Sequence, residues 1–242
     1  MVLEPTPRAD AYRTLVAERK ACAACEGCLA NPSRIDGGIH DSDRLGPYSR
    51  WQGNLDAPLV VVGQDFADVA SFRKYGGWPG PDVGTNLNLV ALLREAGFEI
   101  QPPRRGVPDD RLFFTNAVLC MKAGAGRGRQ QRVPAWCFKK CSGFLRRTIE
   151  IVSPRVVVTL GTGALAAVRR AFEVKGSRLR GCVGKEEPLR EGTVLVPMYH
   201  PSPTVVNTTR SMETMRGDWC DSVALQAAAS ASRTSRETVR GH

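Results

Sequence analysis

Cys22, Cys25 and Cys28 stand three residues apart in "ACAACEGCLANPSR", residues 21–34 of a 242-residue chain with eight cysteines. Thiols at this spacing can form a redox pair, hold zinc, or supply part of an iron–sulfur site. A redox C-x-x-C opens a helix after a strand, and no strand-like run precedes residue 21. Zinc takes four thiolates, so C-x-x-C with two distant cysteines is consistent with it. C-x-x-C-x-x-C is also the opening spacing of ferredoxin-like sites, but no fourth cysteine follows locally. The missing ligands must then come from afar.

The other residues able to do chemistry fall where short apolar runs stop. Gln64 and Asp65 follow "PLVVVG", Asn116 lies in "RLFFTNAVLC", Gly161 ends "RVVVTLG", and His200 lies in "TVLVPMYHP". Each run is short, apolar and closed by polar, Gly or Pro residues, which predicts a buried strand. Between them "NLNLVALLREAGF", "AWCFKKCSGFLRRTIEIV" and "GALAAVRRAF" have helical spacing, and a last helix is predicted from about Ser211 to Ala229. Strands alternating with helices imply βα units and a mainly parallel sheet. Ligands of such open sheets sit beyond the carboxyl ends of the strands, where Asp65, Asn116 and His200 gather.

Thirty-four Lys and Arg against twenty-four Asp and Glu give a formal charge of +10, which attracts polyanions and makes nucleic acid the leading partner. The Gly-rich basic stretch "KAGAGRGRQQR" (122–132) reads as a phosphate-contacting loop or a solvated connector. No apolar run approaches the ~20 residues of a membrane-spanning helix, and the N-terminus has no apolar segment behind a basic start. A cytoplasmic protein with no membrane partner is expected, and in that reducing compartment clustered cysteines are metal ligands or catalytic rather than bridged. A hydrophobic content of 42% suits one globular domain, expected over 1–229 with a cysteine-rich segment at 20–34. The basic remainder, 230–242, has the composition of a disordered tail.

After His200, "HPSPTVVN" sets Pro201 and Pro203 around Ser202, which holds the following residues rigidly away from the sheet, as a wedge requires. "VVGQDF", "FFTNAVLC" and "MYHPSP" together resemble, in order and approximate spacing, the three active-site motifs of the uracil-DNA glycosylase superfamily. "QGNLDAPLVVVG" and "CSGFLRRTIEIVSPRVVVTLG" resemble its iron–sulfur-containing, family 4/5-like branch, and the likeness runs from about Cys22 to Trp219. It implies a three-layer αβα sandwich around a mainly parallel four-stranded sheet. The implied activity is that of a monofunctional, monomeric glycosylase working at the nucleoid. Such an enzyme flips uracil out of single- or double-stranded DNA, hydrolyses the N-glycosidic bond, and leaves an abasic site for base excision repair.

The chemistry agrees. A base inside a duplex must be extruded to be reached. Breaking its bond through a sugar cation and an anionic base needs negative charge near the sugar and donors near the base oxygen. By resemblance Asp65 stabilises the sugar and orients the attacking water, His200 donates to the uracil oxygen, and Asn116 reads the uracil edge. Gln64 adds backbone groups, and Trp78 stands where the family stacks an aromatic ring on the base. Thr85 and Ser202 grip the DNA backbone, and Thr204 with Val205 fills the gap left by the flipped base. Where uracil-specific members carry a thymine-blocking Tyr this chain has Ala67. Either Phe66 closes the pocket or other deaminated bases are accepted.

The same resemblance implies a 4Fe–4S cluster, with structural zinc as the alternative. Its ligands would be two cysteines of the first run, Cys120, and Cys141 or Cys137 one helical turn earlier. Cys22 with Cys25 matches by order, whereas Cys25 with Cys28 preserves the distance to Arg34. Cys182 and Cys220 have no role. "MKAGAGRGRQQR" lacks the His with which some relatives trap their product. A reading from another class, a non-catalytic metal-stabilised nucleic-acid-binding protein, sits poorly with Asp65, Asn116 and His200 occurring together.

Overall fold

The computed structural model describes residues 6–45, 51–106, 109–123 and 132–231. Of the basic loop expected at 122–132, only Lys122, Ala123 and Arg132 fall within the described residues, and the tail beyond residue 231 lies outside them. In chain order the elements begin with α1 (Pro7–Ala21), β1 (Leu29–Ala30), β2 (Leu59–Gly63), α2 (Val69–Lys74), α3 (Gly84–Glu95), β3 (Leu112–Asn116) and β4 (Met121–Lys122). They continue with α4 (Ala135–Val152), β5 (Val156–Leu160), α5 (Gly161–Phe172), α6 (Leu179–Cys182), β6 (Glu187–Arg190) and β7 (Thr193–Met198). Three helices close the described chain: α7 (Pro203–Thr208), α8 (Met212–Cys220) and α9 (Val223–Ser230).

The main sheet runs β3-β2-β5-β7-β6. Its first four strands are the four predicted apolar runs, and all pair in parallel. The sheet has a fifth strand that the predicted four-stranded sheet lacks: β6 joins antiparallel at the edge beside β7. Its sequence, Glu187–Pro188–Leu189–Arg190, buries only Leu189 and carries no apolar signal. Pro188 is tolerated there because an edge strand need not donate on both sides.

Side chains of β2 alternate between two cores, as a pleated strand requires. Val60 and Val62 face a core shared with Leu15 and Val16 of α1, Leu145 and Ile149 of α4, and Leu165 and Val168 of α5. Leu59 and Val61 face the opposite core, with Leu89, Leu92 and Leu93 of α3, Trp219 of α8 and Leu225 of α9. Helices therefore cover both faces, and the expected three-layer sandwich is present.

Two helical features differ from the sequence pattern. α1 starts where Thr6 accepts a hydrogen bond from Ala9 N (3.1 Å) with Pro7 in the first turn, a capping signature in a stretch with little apolar periodicity. The single helix predicted from Ser211 to Ala229 is two helices, broken at Asp221–Ser222. The break lets Trp219 and Leu225 both reach the same core, which one straight rod does not do. Among the described residues no helix is long and apolar enough to cross a membrane.

Candidate active site

Two neighbouring parallel strands end together at Gly63 and Asn116, which are register partners. The chain past β3 stays bound to the loop past β2, because Ala117 N donates to Gly63 O (2.9 Å) and Val118 N to Gln64 O (3.1 Å). Asn116 turns its side chain over its partner, so a Cβ on residue 63 would fall on Asn116 Oδ1. Any larger residue there displaces the Asn116 amide.

Asp65 comes two residues later with its side chain 11% exposed and both carboxylate oxygens engaged. Lys122 Nζ lies 2.8 Å from Oδ1, and Gln64 Nε2 donates to Oδ2 at 2.7 Å. Gln64 is itself pressed against Gly163 in the first turn of α5, where a Cβ would collide with Gln64 Oε1. The helix cap of this loop is Asp68, which accepts from Ser71 N (2.8 Å), so Asp65 is left for other work.

His200 follows β7, its Cβ close to Gly161, whose φ of +86° is a conformation open to glycine. Burial pushes the imidazole pKa below its usual 6.5, and the negative charge of Asp65 partly opposes that shift. The two side chains thus share one electrostatic environment, and the imidazole is neutral at pH 7. Past it, Asn88 Nδ2 of α3 holds Pro201 O at 2.9 Å, and Pro203 leans on Gly84. Ser202 Oγ caps α7 by accepting from Val205 N (3.4 Å). Val205 is packed partly against the α3-side core, which leaves Thr204 as the exposed side chain of the supposed wedge.

Thr85 lies inside the first turn of α3 rather than at its cap, which is Val83 and makes no side-chain capping bond. The opening backbone N–H groups of that helix are therefore not used by a cap. Phe66 packs against both the α1-side core and the small cluster of Ile35, Val69, Phe72 and Met121. Ala67 next to it is exposed. Trp78 is half-buried in the turn after α2, its N–H bonded to Tyr75 O (3.2 Å).

The cysteines of the first run meet Cys120, just before β4, and Cys137 and Cys141 of α4. Cys25, Cys120, Cys137 and Cys141 are buried in one cluster with Leu29, Val118 and Val133, and Cys28 packs against it. Burial raises the Cys25 and Cys120 thiols to about 12 and Cys141 to about 11. Within this patch Cys22, Cys25, Cys120 and Cys141 each interact electrostatically with the other three. Cys137 hydrogen-bonds Cys25 and interacts with Cys141, and Cys28 interacts with Cys25 and Cys137. Cys182 lies apart, its thiol directed at the Ser177, Arg178 and Leu179 carbonyls. No group of three or more His, Cys, Asp or Glu side chains is arranged as a single-ion cage among the described residues.

What orients the first run is the end of α1. Asn31 Nδ2 donates to Arg19 O (2.9 Å) and Cys22 O (2.8 Å), so one amide gathers orphan carbonyls of the helix C-terminus. Arg19, 2% exposed, pairs with Asp41 at 2.9 Å and donates to Ser42 O and Arg44 O. β1 then pairs antiparallel with β4, setting Leu29 opposite Lys122. Cys28 and Cys120 thus immediately precede the two strands of one short ribbon that ends in Lys122 and is bridged onward to Asp68.

A cavity of about 620 Å³ opens on the α4 and α5 side of Asp65, with Gln64, Lys122, Phe138, Gly163, Arg132 and Arg170 in its wall. The sequence places Lys122 only in a basic loop, reads Gly63 only as the stop of a strand, and gives no role to Asn88, Gly163 or Arg170. A glycine just before "QD" and another two residues after "LG" were the available signals for close approach; Asn88 and Arg170 carry none. The arrangement sets a carboxylate, a neutral imidazole and an amide beyond the carboxyl ends of three strands of one parallel sheet, able to meet a cation, a developing anion and a hydrogen-bonding edge.

Residues 51–226 match the family described as Uracil DNA glycosylase superfamily. The chain is 28% identical over 202 residues to the type-4 uracil-DNA glycosylase of Thermotoga maritima, covering 82% of this chain and 85% of that protein. It is 30% identical over 172 residues to the type-5 uracil-DNA glycosylase of Pyrobaculum aerophilum, covering 70% and 72% respectively.

Proposed function

From the premise that this chain belongs to the uracil-DNA glycosylase superfamily, we propose that it hydrolyses the N-glycosidic bond of uracil in DNA, leaving an abasic site for base excision repair. The observation that carries this reading is the placement of Asp65, Asn116 and His200 beyond the carboxyl ends of three strands of one parallel sheet, with the charge of Asp65 acting on the His200 imidazole. Asp65 faces the sugar and holds the attacking water as positive charge grows at the anomeric carbon. His200, neutral at pH 7, donates a hydrogen bond to the uracil oxygen as negative charge moves onto the base, and needs no proton from solvent. The Asn116 amide supplies a donor and an acceptor to the uracil edge, and a base with the wrong pattern leaves them unpaired. Thr85 and Ser202 contact phosphate, and Thr204 enters the gap. One domain over 1–229, acting as a cytoplasmic monomer, completes the reading.

The cysteine patch fits a thiolate-bound cluster: its donors are soft, buried and gathered from three separate segments. Cys22, Cys25, Cys120 and Cys141 would hold the group, with Cys137, which hydrogen-bonds Cys25, as the alternative to Cys141. When bound, a 4Fe–4S cluster would supply a covalent cross-link among the first run, the residue just before β4, and α4. Zinc on the same thiolates is the alternative.

A second reading, wider base choice, is favoured by Phe66, whose ring packs into the cores, and by the small, exposed Ala67. Neither closes the pocket as a Tyr would. The test is incubation with oligonucleotides carrying one uracil, hypoxanthine, xanthine or mispaired thymine, single- and double-stranded, with alkali to reveal abasic sites. Cleavage at uracil is the expected result. Cleavage at none of the four by the metal-loaded protein rejects a glycosylase role.

A further inference from the structure

Lys122 contradicts the chemistry proposed for its partner. A carboxylate that is to attract a sugar cation is weakened by an ammonium group in contact with it, and Lys122 Nζ lies 2.8 Å from Asp65 Oδ1. The second oxygen is taken as well, by Gln64 Nε2 at 2.7 Å. As it stands, each Asp65 oxygen already has a donor, and the Lys122 charge offsets its own. The pair is also shielded, with side chains 16% and 11% exposed, so solvent does little to loosen it.

The surroundings contain a second place for the amine. Lys122 lines the 620 Å³ cavity together with Arg132 and Arg170. Among the described residues no ion pair joins either arginine to a carboxylate, and both are exposed. Among the described residues Asp65 is the single carboxylate in that wall. A cavity with three cations and one anion lacks negative charge, and the substrate class named above brings it as phosphodiesters. The main chain of Lys122 cannot follow the amine. It is paired to Leu29 in β1, bonded through its N–H to Ala67 O (3.4 Å) and bridged to Asp68. Only the flexible side chain has to move.

We propose that the cavity is a phosphodiester subsite and that Lys122 is its exchange cation: in the free protein it pairs with Asp65, and a phosphate of the bound DNA strand draws it away. Arg132 and Arg170 hold the same phosphate group from the opposite wall. DNA binding then uncovers Asp65 at the moment a sugar is beside it, and the carboxylate stays neutralised when no DNA is present. The inference rests on the DNA-directed reading of the site.

The test needs no catalysis. Binding of a fluorescent single-stranded oligonucleotide with a tetrahydrofuran abasic analogue is followed by anisotropy over a range of salt, for wild type, Lys122→Gln, Lys122→Arg, Asp65→Asn and the double variant Asp65→Asn/Lys122→Gln. Each phosphate contact on a single strand contributes about 0.7 to the slope of log affinity against log salt. Lys122→Gln is expected to flatten the slope by that amount and Lys122→Arg to restore it. Asp65→Asn releases the lysine beforehand and is expected to tighten binding by about fivefold or more, a gain absent in the double variant. An unchanged slope in Lys122→Gln, or the same gain from Asp65→Asn in both backgrounds, overturns the exchange and leaves the DNA reading intact. If none of the proteins binds the oligonucleotide, both fall.

Discussion

Asn116 lies so close over Gly63 that its Oδ1 occupies the place of the side chain that any other residue would have there. The two are opposite partners at the last step of the β2–β3 ladder, so the position of the amide is set by the register of the sheet and by the lack of a Cβ across from it.

Gly63→Ala therefore acts on catalysis through Asn116. Misplacement of a positioned group by about 1 Å can cost about 100-fold in rate, and that is the expected loss in kcat/KM on uracil DNA. Asn116→Ala should lose a similar amount, and the double variant little more, because both changes remove one interaction. Losses that add would show that Gly63 serves something else.

His200 should titrate below 6.5, since burial disfavours the imidazolium and the Asp65 charge only partly offsets this. The unfolded chain, with the ordinary value, then binds more protons in the interval between the two. Stability contributed by the neutral imidazole is intact above about 6.5 and declines as pH falls below it. NMR titration of the three histidines checks the midpoint directly. Asp65→Asn should lower it further, and a midpoint above 6.5 would contradict a buried neutral donor.

Arg19 and Asp41 form a pair 2% and 5% exposed that ties the end of α1 to the segment after the cysteine run. Arg19→Met alone strands the carboxylate, which costs about 3–5 kcal/mol, whereas replacing both partners by apolar residues of similar volume is often neutral. Urea denaturation is expected to show a large loss in Arg19→Met and a partial recovery in Arg19→Met/Asp41→Leu. Equal losses would mean that the pair itself, not its isolation, matters.

For the cysteines, alanine at position 22, 25, 120 or 141 should abolish the brown colour and iron content of the purified protein. Alanine at 28, 137 or 182 should leave both. Loss of iron in Cys28→Ala with retention in Cys22→Ala would transfer the ligand role to the other pairing, and a colourless wild-type protein with bound zinc would remove the cluster altogether.

The sequence by itself determined the four parallel strands, the helices between them, and the polar residues that close each strand, because these depend on local periodicity and on where apolar runs stop. It also determined that Cys22 or Cys28 had distant partners, since no local fourth thiol was available. It was silent on β6, whose four residues bury one leucine and join the sheet only because β7 leaves an edge open. It joined α8 and α9 into one helix, because periodicity does not register a break that lets two residues reach the same core. Tertiary structure alone decided that Lys122 meets Asp65. The contact spans 57 positions of chain, and depends on β1 pairing with β4 and on the turn of Asp65 toward that ribbon. It also sets the three thiols of the first run apart, because they are equivalent by spacing along the chain and differ only in what they face once it has closed: Cys25 is buried, while Cys22 and Cys28 are partly exposed.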